Sequence, residues 1–324
     1  MKSRALYFLA AIVIVSGCHS NLSEPPVSGP STKQTGDKKM VFQEGRIYWQ
    51  AHRGGGLHEA PDNTLAAVRY GWSFGAIPEV DIQLTADDQV ICLHDDTLAR
   101  TTDAPANIAN LPARQLPLKE IKKYDAGRKF DPKYAGEHVP ALSEVFEEMR
   151  SDRRRMIYAD IKTDDAKNFP ILLEKFAELV SRYGVASQIL VCNCDYSVNM
   201  RMREAVPGIH VMLWIGTWGS PDPRKEKLDQ FQSLVDKKFV GLDEVQFHLA
   251  YNEKGVNGWH YDLSPDDLKK ALEVCRQYHV ALQVFPFQFT RESLKGLYDL
   301  GITHYTTDEP ARFKKTIDEI RSEH

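Results

Sequence analysis

From residue 47 onward the chain alternates short apolar runs with longer stretches in which apolar residues recur every three or four positions. The short runs cover residues 47–52, 77–84, 156–162, 188–193, 209–214, 240–247, 280–285 and 302–306, and most are rich in Val, Ile and aromatic residues. Continuous apolarity of this kind marks strands covered on both faces. Between them the spacing predicts helices over 63–72, 143–149, 169–183, 198–205, 229–237, 265–278 and 291–299, and Ser264 with Asp267 forms a capping box opening the sixth. Residues 90–94 read as the return strand of a β-hairpin appended to the second strand, and 103–140 as a loop excursion too short for a domain of its own. Eight strands alternating with helices over about 280 residues predict an α/β protein with one (β/α)8 barrel of the TIM type, spanning 45–324.

The N-terminus follows a different pattern. Lys2 and Arg4 precede an apolar run and then small residues up to Cys18. That predicts a signal peptide over 1–17, too short to span a bilayer as a stable helix. Val15-Ser16-Gly17-Cys18 reads as a bacterial lipobox, which makes Cys18 the lipid-bearing first residue of an exported lipoprotein anchored to a membrane, periplasmic or at the cell surface. A plain signal peptide with an incidental cysteine is the alternative. Residues 18–44, rich in Ser, Pro, Thr, Gly and Lys, read as a flexible tether.

Charge and cysteine content add little to this picture. The chain has 41 basic and 45 acidic side chains, and loss of Lys2 and Arg4 moves the formal charge from −4 to −6. Nothing there suggests a nucleic-acid surface. Export permits disulfides. However, Cys192 and Cys194 share one strand, while Cys92 and Cys275 sit in separate core elements, so all four are expected as buried thiols. The Cys192–Cys194 pair has no second pair to complete a metal site.

The chemistry concentrates between residues 52 and 102. His52 ends the first strand and is followed by Arg53 and then Gly54, Gly55 and Gly56, a break that lets backbone N–H groups curl toward an anion. Glu79 and Asp81, two apart in the second strand, share one face. Pairing across a hairpin centred near Asp87 and Asp88 sets His94 opposite Asp81. Two acids this close raise a pKa or recruit a cation, and a third, Asp160, ends the next strand. Three carboxylates without a cysteine or histidine cluster suit one hard divalent ion, Ca²⁺ or Mg²⁺. Ordinary strand-end acids are the alternative. Arg53 and Lys162 are placed either to hold anionic oxygens beside that ion or to pair with Glu79, Asp81 or Asp160. Asn63 is read as ordering the loop after the first strand through its amide. His52 and His94, ending strands beside carboxylates and an arginine, are positioned as an acid–base pair. His58, His210, His248, His260, His279 and His304 lack that setting and read as structural. Trp214, Trp218 and Trp259 are candidates to line the mouth.

Five segments then occur in order: His52-Arg53-Gly54, Asp62-Asn63-Thr64, Glu79-Val80-Asp81, Val90 with His94-Asp95, and Leu98 with Arg100-Thr101-Thr102. In this order and spacing the chain resembles the glycerophosphodiester phosphodiesterase family, as do DAG at 125–127, VPALSEVF at 139–146, DIK at 160–162 and TTDEP at 306–310. The resemblance runs from Ile47 to the C-terminus. It implies a phospholipase C-like phosphodiesterase barrel that hydrolyses glycerophosphodiesters, a small-molecule substrate, to sn-glycerol 3-phosphate and an alcohol. It implies a divalent cation on Glu79, Asp81 and Asp160, with Arg53 and Lys162 on the phosphate. His52 and His94 would divide the proton transfers, and we assign His94 as base and His52 as acid. Oligomeric state is left open.

The chain also departs from the family pattern. Asp160 stands where the family has Glu, the seventh strand reads VALQVFPFQF without the usual Trp and Asn, and Asn193-Cys194-Asp195 replaces a Ser-Phe. The alcohol is therefore not specified by the sequence. Two rivals follow: a related phosphodiesterase acting on lysophospholipid or phosphoinositide head groups, and a lipoprotein that binds phosphodiesters or glycans without cleaving them. Both histidines, Arg53 and Lys162 argue against the second, because binding needs no acid–base pair.

Overall fold

The computed structural model describes residues 40, 42–43, 45–163 and 165–323. The expected signal peptide, Cys18 and nearly all of the tether lie outside the described residues. The strands, in chain order, are β1 (Tyr48–Ala51), β2 (Ile77–Leu84), β3 (Val90–Cys92), β4 (Ile157–Ile161), β5 (Ile189–Asn193), β6 (His210–Ile215), β7 (Glu244–Leu249), β8 (Tyr251–Val256), β9 (Trp259–Tyr261), β10 (Ala281–Pro286) and β11 (His304–Thr307). β1, β2, β4, β5, β6, β7, β10 and β11 pair in parallel, and β11 returns to β1, closing an eight-stranded barrel. Each of the eight expected strands is therefore found. β7 begins four residues later than expected because Lys238, Phe239 and Gly241 all take positive φ, which turns the chain before it can enter the sheet.

Outward residues such as Val80, Ile82, Ala159, Ile161 and Val191 pack beneath the helices in one core with Leu142, Phe146, Phe176 and Leu268. Six of the seven helices fall where the spacing placed them, including Leu65–Ser73, Leu142–Arg150, Phe169–Tyr183 and Pro265–Gln277, the last opened by the Ser264–Asp267 capping box; the fifth, Pro223–Asp236, starts six residues earlier than expected because Asp222 caps it and Pro223 opens it. A further helix, Pro310–Arg321, follows β11 and was not read from the sequence; Pro310 at its first turn was the available signal. The 103–140 excursion folds over the hairpin around its own small cluster, which includes Ile91, Leu93, Leu98, Leu116 and Ile121. Also unexpected is the β8–β9 hairpin, although Asn257-Gly258, both at positive φ, is the usual two-residue turn signal. Cys92, Cys192 and Cys275 are buried as expected, whereas Cys194 is only half-buried.

Candidate active site

Strand parity sends alternate residues into the barrel lumen. One side of the lumen is apolar, with Tyr158, Leu190, Cys192 and Met212. The other is polar. Gln246 donates to Gln50 Oε1 at 3.1 Å and also to Gln283, while Thr306 Oγ1 lies 3.1 Å from Gln50 Oε1 and 2.9 Å from Gln283 Oε1. Deeper in, the Tyr158 hydroxyl donates to Glu244 at 2.6 Å. Burial raises the Glu244 carboxyl to about 8. Such a layer bonds most of its buried polar groups internally, Glu244 Oε1 excepted, and makes a rigid floor for whatever stands on it.

On that floor, at the C-terminal ends of the strands, stand Glu79, Asp81 and Asp160. All three are buried, and each offers an oxygen within 4.8 Å of the others. The second oxygens are held by neighbours. Gln50 donates to Glu79 Oε2 at 3.1 Å, and the Arg53 backbone N–H does so at 3.3 Å. The Asn63 amide donates to Asp81 Oδ2 at 2.7 Å and accepts the Asp81 backbone N–H at 2.8 Å. The Trp214 indole N–H lies 3.3 Å from Asp160 Oδ1. Asp81 Oδ1 is buried without a hydrogen bond. The Lys162 ammonium stands beside it, 3.1 Å from Asp81 Oδ1 and 2.6 Å from Asp160 Oδ2. An all-oxygen donor set of three buried carboxylates that share one ammonium fits a hard divalent cation.

The electrostatics carry the same signature. Burial, together with the charges of Asp81 and Asp160, raises Glu79 to about 7 against the opposing pull of His52. Burial would also raise Asp81, but Lys162 above all, then His94, Arg53 and His52, drive it well below the usual carboxylate range. Opposite shifts on two adjacent carboxylates mark a cluster whose like charges compete for too few cations.

His52 and His94 face this cluster, each with its own carboxylate. His52 Nδ1 lies 2.6 Å from Asp308 Oδ1, while its Nε2 is 3.9 Å from Glu79 Oε2. Burial lowers the His52 pKa, but Glu79, Asp308 and the Asp308 hydrogen bond outweigh it, and the net shift is upward. A Cβ on Gly56 would fall 1.9 Å from the Asp308 carbonyl, so only glycine lets this loop reach the one that carries Asp308. His94 Nδ1 lies 2.8 Å from Asp95 Oδ1. Asp95 receives a two-pronged contact from Arg100, which also donates to Asp62 at 2.7 Å, and Asp62 in turn accepts from Arg53 at 3.0 Å. Each ring thus has Nδ1 fixed by a carboxylate and Nε2 left for chemistry, the arrangement that sets a histidine tautomer.

The structure brings together all eight residues singled out in the sequence, but some contacts differ from those expected. The hairpin ladder pairs Ile82 with Cys92 and Leu84 with Val90, so Leu93, not His94, lies opposite Asp81, and its N–H donates to the Asp81 carbonyl at 2.8 Å. The turn closes one residue tighter than expected, through Thr85 N–H to Gln89 O at 3.0 Å with Asp88 in the left-handed region. His94 reaches the mouth because β3 stops at Cys92 and the chain bends inward. The glycine break does not free the Gly54 and Gly56 N–H groups, which donate to the Ala51 and His52 carbonyls at 3.1 and 2.7 Å. Arg53 pairs with Asp62 rather than with the three acids, and its Nε is buried and unpartnered. Asn63 anchors the loop by clamping Asp81 itself. Sequence reasoning missed Gln50 and Asp308; Gln50 shares the inward parity of His52, and Asp308 lies inside the TTDEP segment.

A parallel barrel with a buried carboxylate triad and two carboxylate-backed histidines at its C-terminal mouth defines a metal-assisted hydrolase class. Residues 52–238 match the Glycerophosphoryl diester phosphodiesterase family, and the chain belongs to that family. It is 32% identical over 262 residues to the glycerophosphodiester phosphodiesterase of Caldanaerobacter subterraneus subsp. tengcongensis, covering 80% of this chain and 93% of that one. Human glycerophosphodiester phosphodiesterase 1 is 32% identical over 277 residues, 83% of this chain and 75% of its own length. The barrel also superposes on a phosphodiesterase from Oleispira antarctica solved with the product sn-glycerol-3-phosphate, with TM-score 0.63, 20% identity and coverage of 84% and 96%. A glycerophosphodiester phosphodiesterase from Agrobacterium tumefaciens gives TM-score 0.60 at 20% identity, covering 83% and 99%.

Proposed function

We propose that the protein hydrolyses glycerophosphodiesters to sn-glycerol 3-phosphate and an alcohol, with one divalent cation, Ca²⁺ or Mg²⁺, held by Glu79, Asp81 and Asp160. The observation that carries this reading is the buried triad flanked by His52 and His94 in a chain of this family. When bound, the cation supplies a Lewis-acid centre for phosphoryl oxygens. The remaining roles belong to the chain itself. Arg53 and Lys162 hold the equatorial oxygens, as cations do in phosphoryl transfer. His52, whose protonated form Glu79 and Asp308 favour, gives its Nε2 proton to the departing alkoxide. His94, oriented by Asp95, takes the proton of the attacking hydroxyl, whether from water or from the glycerol itself. Gln50, Asn63 and Trp214 orient the three carboxylates.

The same proposal extends to location. A lipid on Cys18 anchors the exported protein to a membrane, with 18–44 as tether and 45–324 as the single catalytic domain. Cys18→Ala should release it from the membrane fraction, and normal retention of an unmodified residue 18 would contradict the anchor. For the activity, a coupled assay for sn-glycerol 3-phosphate should register turnover of simple glycerophosphodiesters. Release of the other phosphomonoester, or no release at all, would contradict the reading.

A further inference from the structure

Arg100 stands apart from the three acids and the two histidines, yet its guanidinium reaches the supports of two site residues at once. Its Nε and Nη2 hold Asp95 in a fork, at 2.7 Å to Oδ2 and 3.0 Å to Oδ1. The same Oδ1 lies 2.8 Å from His94 Nδ1. Its Nη1 donates to Asp62 Oδ2 at 2.7 Å, and that oxygen also accepts from Arg53 Nη1 at 3.0 Å. No contact in the run from His94 through Asp95, Arg100 and Asp62 to Arg53 exceeds 3.0 Å.

The backbone that carries Arg100 is held from both sides. Leu98 is buried in the small cluster under the 103–140 excursion. Thr102, also buried, closes a turn onto the Leu98 carbonyl, through its N–H at 3.1 Å and its hydroxyl at 2.9 Å. From the excursion, Lys129 donates to the Ala99 and Thr102 carbonyls at 2.5 and 3.0 Å. The excursion thus fixes the turn, and the turn aims the guanidinium. The Arg100 side chain itself is 42% exposed, so its ion pairs contribute little to stability. Their geometry has to matter elsewhere.

We propose that Arg100 is a positioning residue for the hydrolysis: one planar guanidinium locks the carboxylate that aims His94 and the carboxylate that aims Arg53. The base and the phosphate-holding arginine are then set in one frame. This rests on the hydrolytic reading above. A carboxylate bound at a single point can turn about its own torsions and carry its histidine along, whereas a two-pronged contact fixes its plane. Burial would raise the Asp95 pKa, but the bonds to His94 and Arg100 drive it well below the usual carboxylate range, so it serves both as an ionised acceptor. Lysine could supply the charge at position 100 but not the fork.

The test is a double-mutant cycle. Arg100→Met should lower kcat about 10–100-fold, the cost of a base held out of place, with little change in Tm. In a His94→Ala background the same substitution should change kcat less than about threefold, because the base it aims is gone. Its rise in KM, which comes through Arg53, should persist there. Arg100→Lys should stay as impaired as Arg100→Met, and millimolar guanidinium, but not methylammonium, should restore part of the kcat of Arg100→Ala. An unchanged kcat, an equal kcat cost in both backgrounds, or full activity in Arg100→Lys would overturn the proposal. A crystal structure of Arg100→Met should show Asp95 and His94 turned out of their wild-type orientation, and unmoved side chains would overturn the proposal too. Absence of turnover in the wild type would refute the hydrolytic reading, and the crystallographic arm would still decide the role of Arg100.

Discussion

The two halves of the barrel mouth are built on opposite terms. On the β1, β2 and β4 side, Arg53, Glu79, Asp81, Asp160 and Lys162 are ionic, buried and held in place, most of their oxygens and nitrogens by a named partner. On the β6, β7 and β10 side, Trp214, His248, Phe285 and Phe287 are neutral and meet one another by ring contacts alone, leaving Phe287 half-open. The first half needs its polar floor, because charges in a dry site must be positioned by directional bonds. The second carries two such bonds, Trp214 to Asp160 and His248 to Gln246, and is otherwise held by shape. Chemistry is therefore expected to fail when directional bonds are cut on the ionic side, and substrate preference to change when rings are cut on the aromatic side.

The largest expected effect is on the ionic side. His52→Ala or His94→Ala should lower kcat on the order of 10²–10⁴, the usual scale for a general acid or base. A diester with a nitrophenolate leaving group should rescue the variant that lost the acid, expected to be His52→Ala, and not the one that lost the base. Equal rescue of both would refute the assignment. Next comes Gln50→Met, which removes a donor from Glu79 without adding charge. Metal affinity measured by calorimetry should fall about 10–100-fold, the range for partners that orient metal ligands. Unchanged affinity would make Gln50 a packing residue.

Asp308→Asn should act less strongly on rate and more clearly on pH. Asp308 helps to raise the His52 pKa, so its loss lowers that pKa and moves the alkaline limb of the kcat/KM profile to lower pH. An unmoved limb would separate Asp308 from the acid. The smallest effect lies on the floor. Burial raises Glu244 from its ordinary 4.5 to about 8, so the folded chain keeps a proton that the unfolded chain releases. The stability this contributes is complete below pH 4.5 and is lost as pH rises toward 8. Wild-type Tm should fall across that window, and Glu244→Gln should flatten the decline with little change in activity.

Much of this was legible in the sequence because it depends on local pattern. Apolar runs placed all eight barrel strands, and the i, i+2 spacing of Glu79 and Asp81 put both on the inward face. What was not legible depends on register and on distant elements. A one-residue tighter turn at Asp88 moved Leu93 into the place predicted for His94, because a hairpin's pairing is set by its loop. Asp308 meets His52 across 256 positions of sequence, and Gln50 meets Gln246 across 196, contacts that only barrel closure creates. Gln50, Gln246, Gln283 and Thr306 sit in strands that read as buried apolar runs, and their mutual bonding is what lets polar side chains occupy a lumen.

If Glu79, Asp81 and Asp160 together hold the ion on which turnover depends, ion and activity should be lost and regained together. The protein is stripped with EDTA and Ca²⁺ or Mg²⁺ titrated back, with calorimetry and sn-glycerol 3-phosphate release read side by side, for wild type and for Asp81→Asn. Wild type should bind one ion per chain, with activity returning in step with its binding. Asp81→Asn, isosteric and able to accept the Asn63 amide N–H through its own oxygen, should keep its fold, checked by circular dichroism, yet neither bind the ion tightly nor recover activity. Full activity in EDTA, or an Asp81→Asn protein that binds and turns over like wild type, would contradict it.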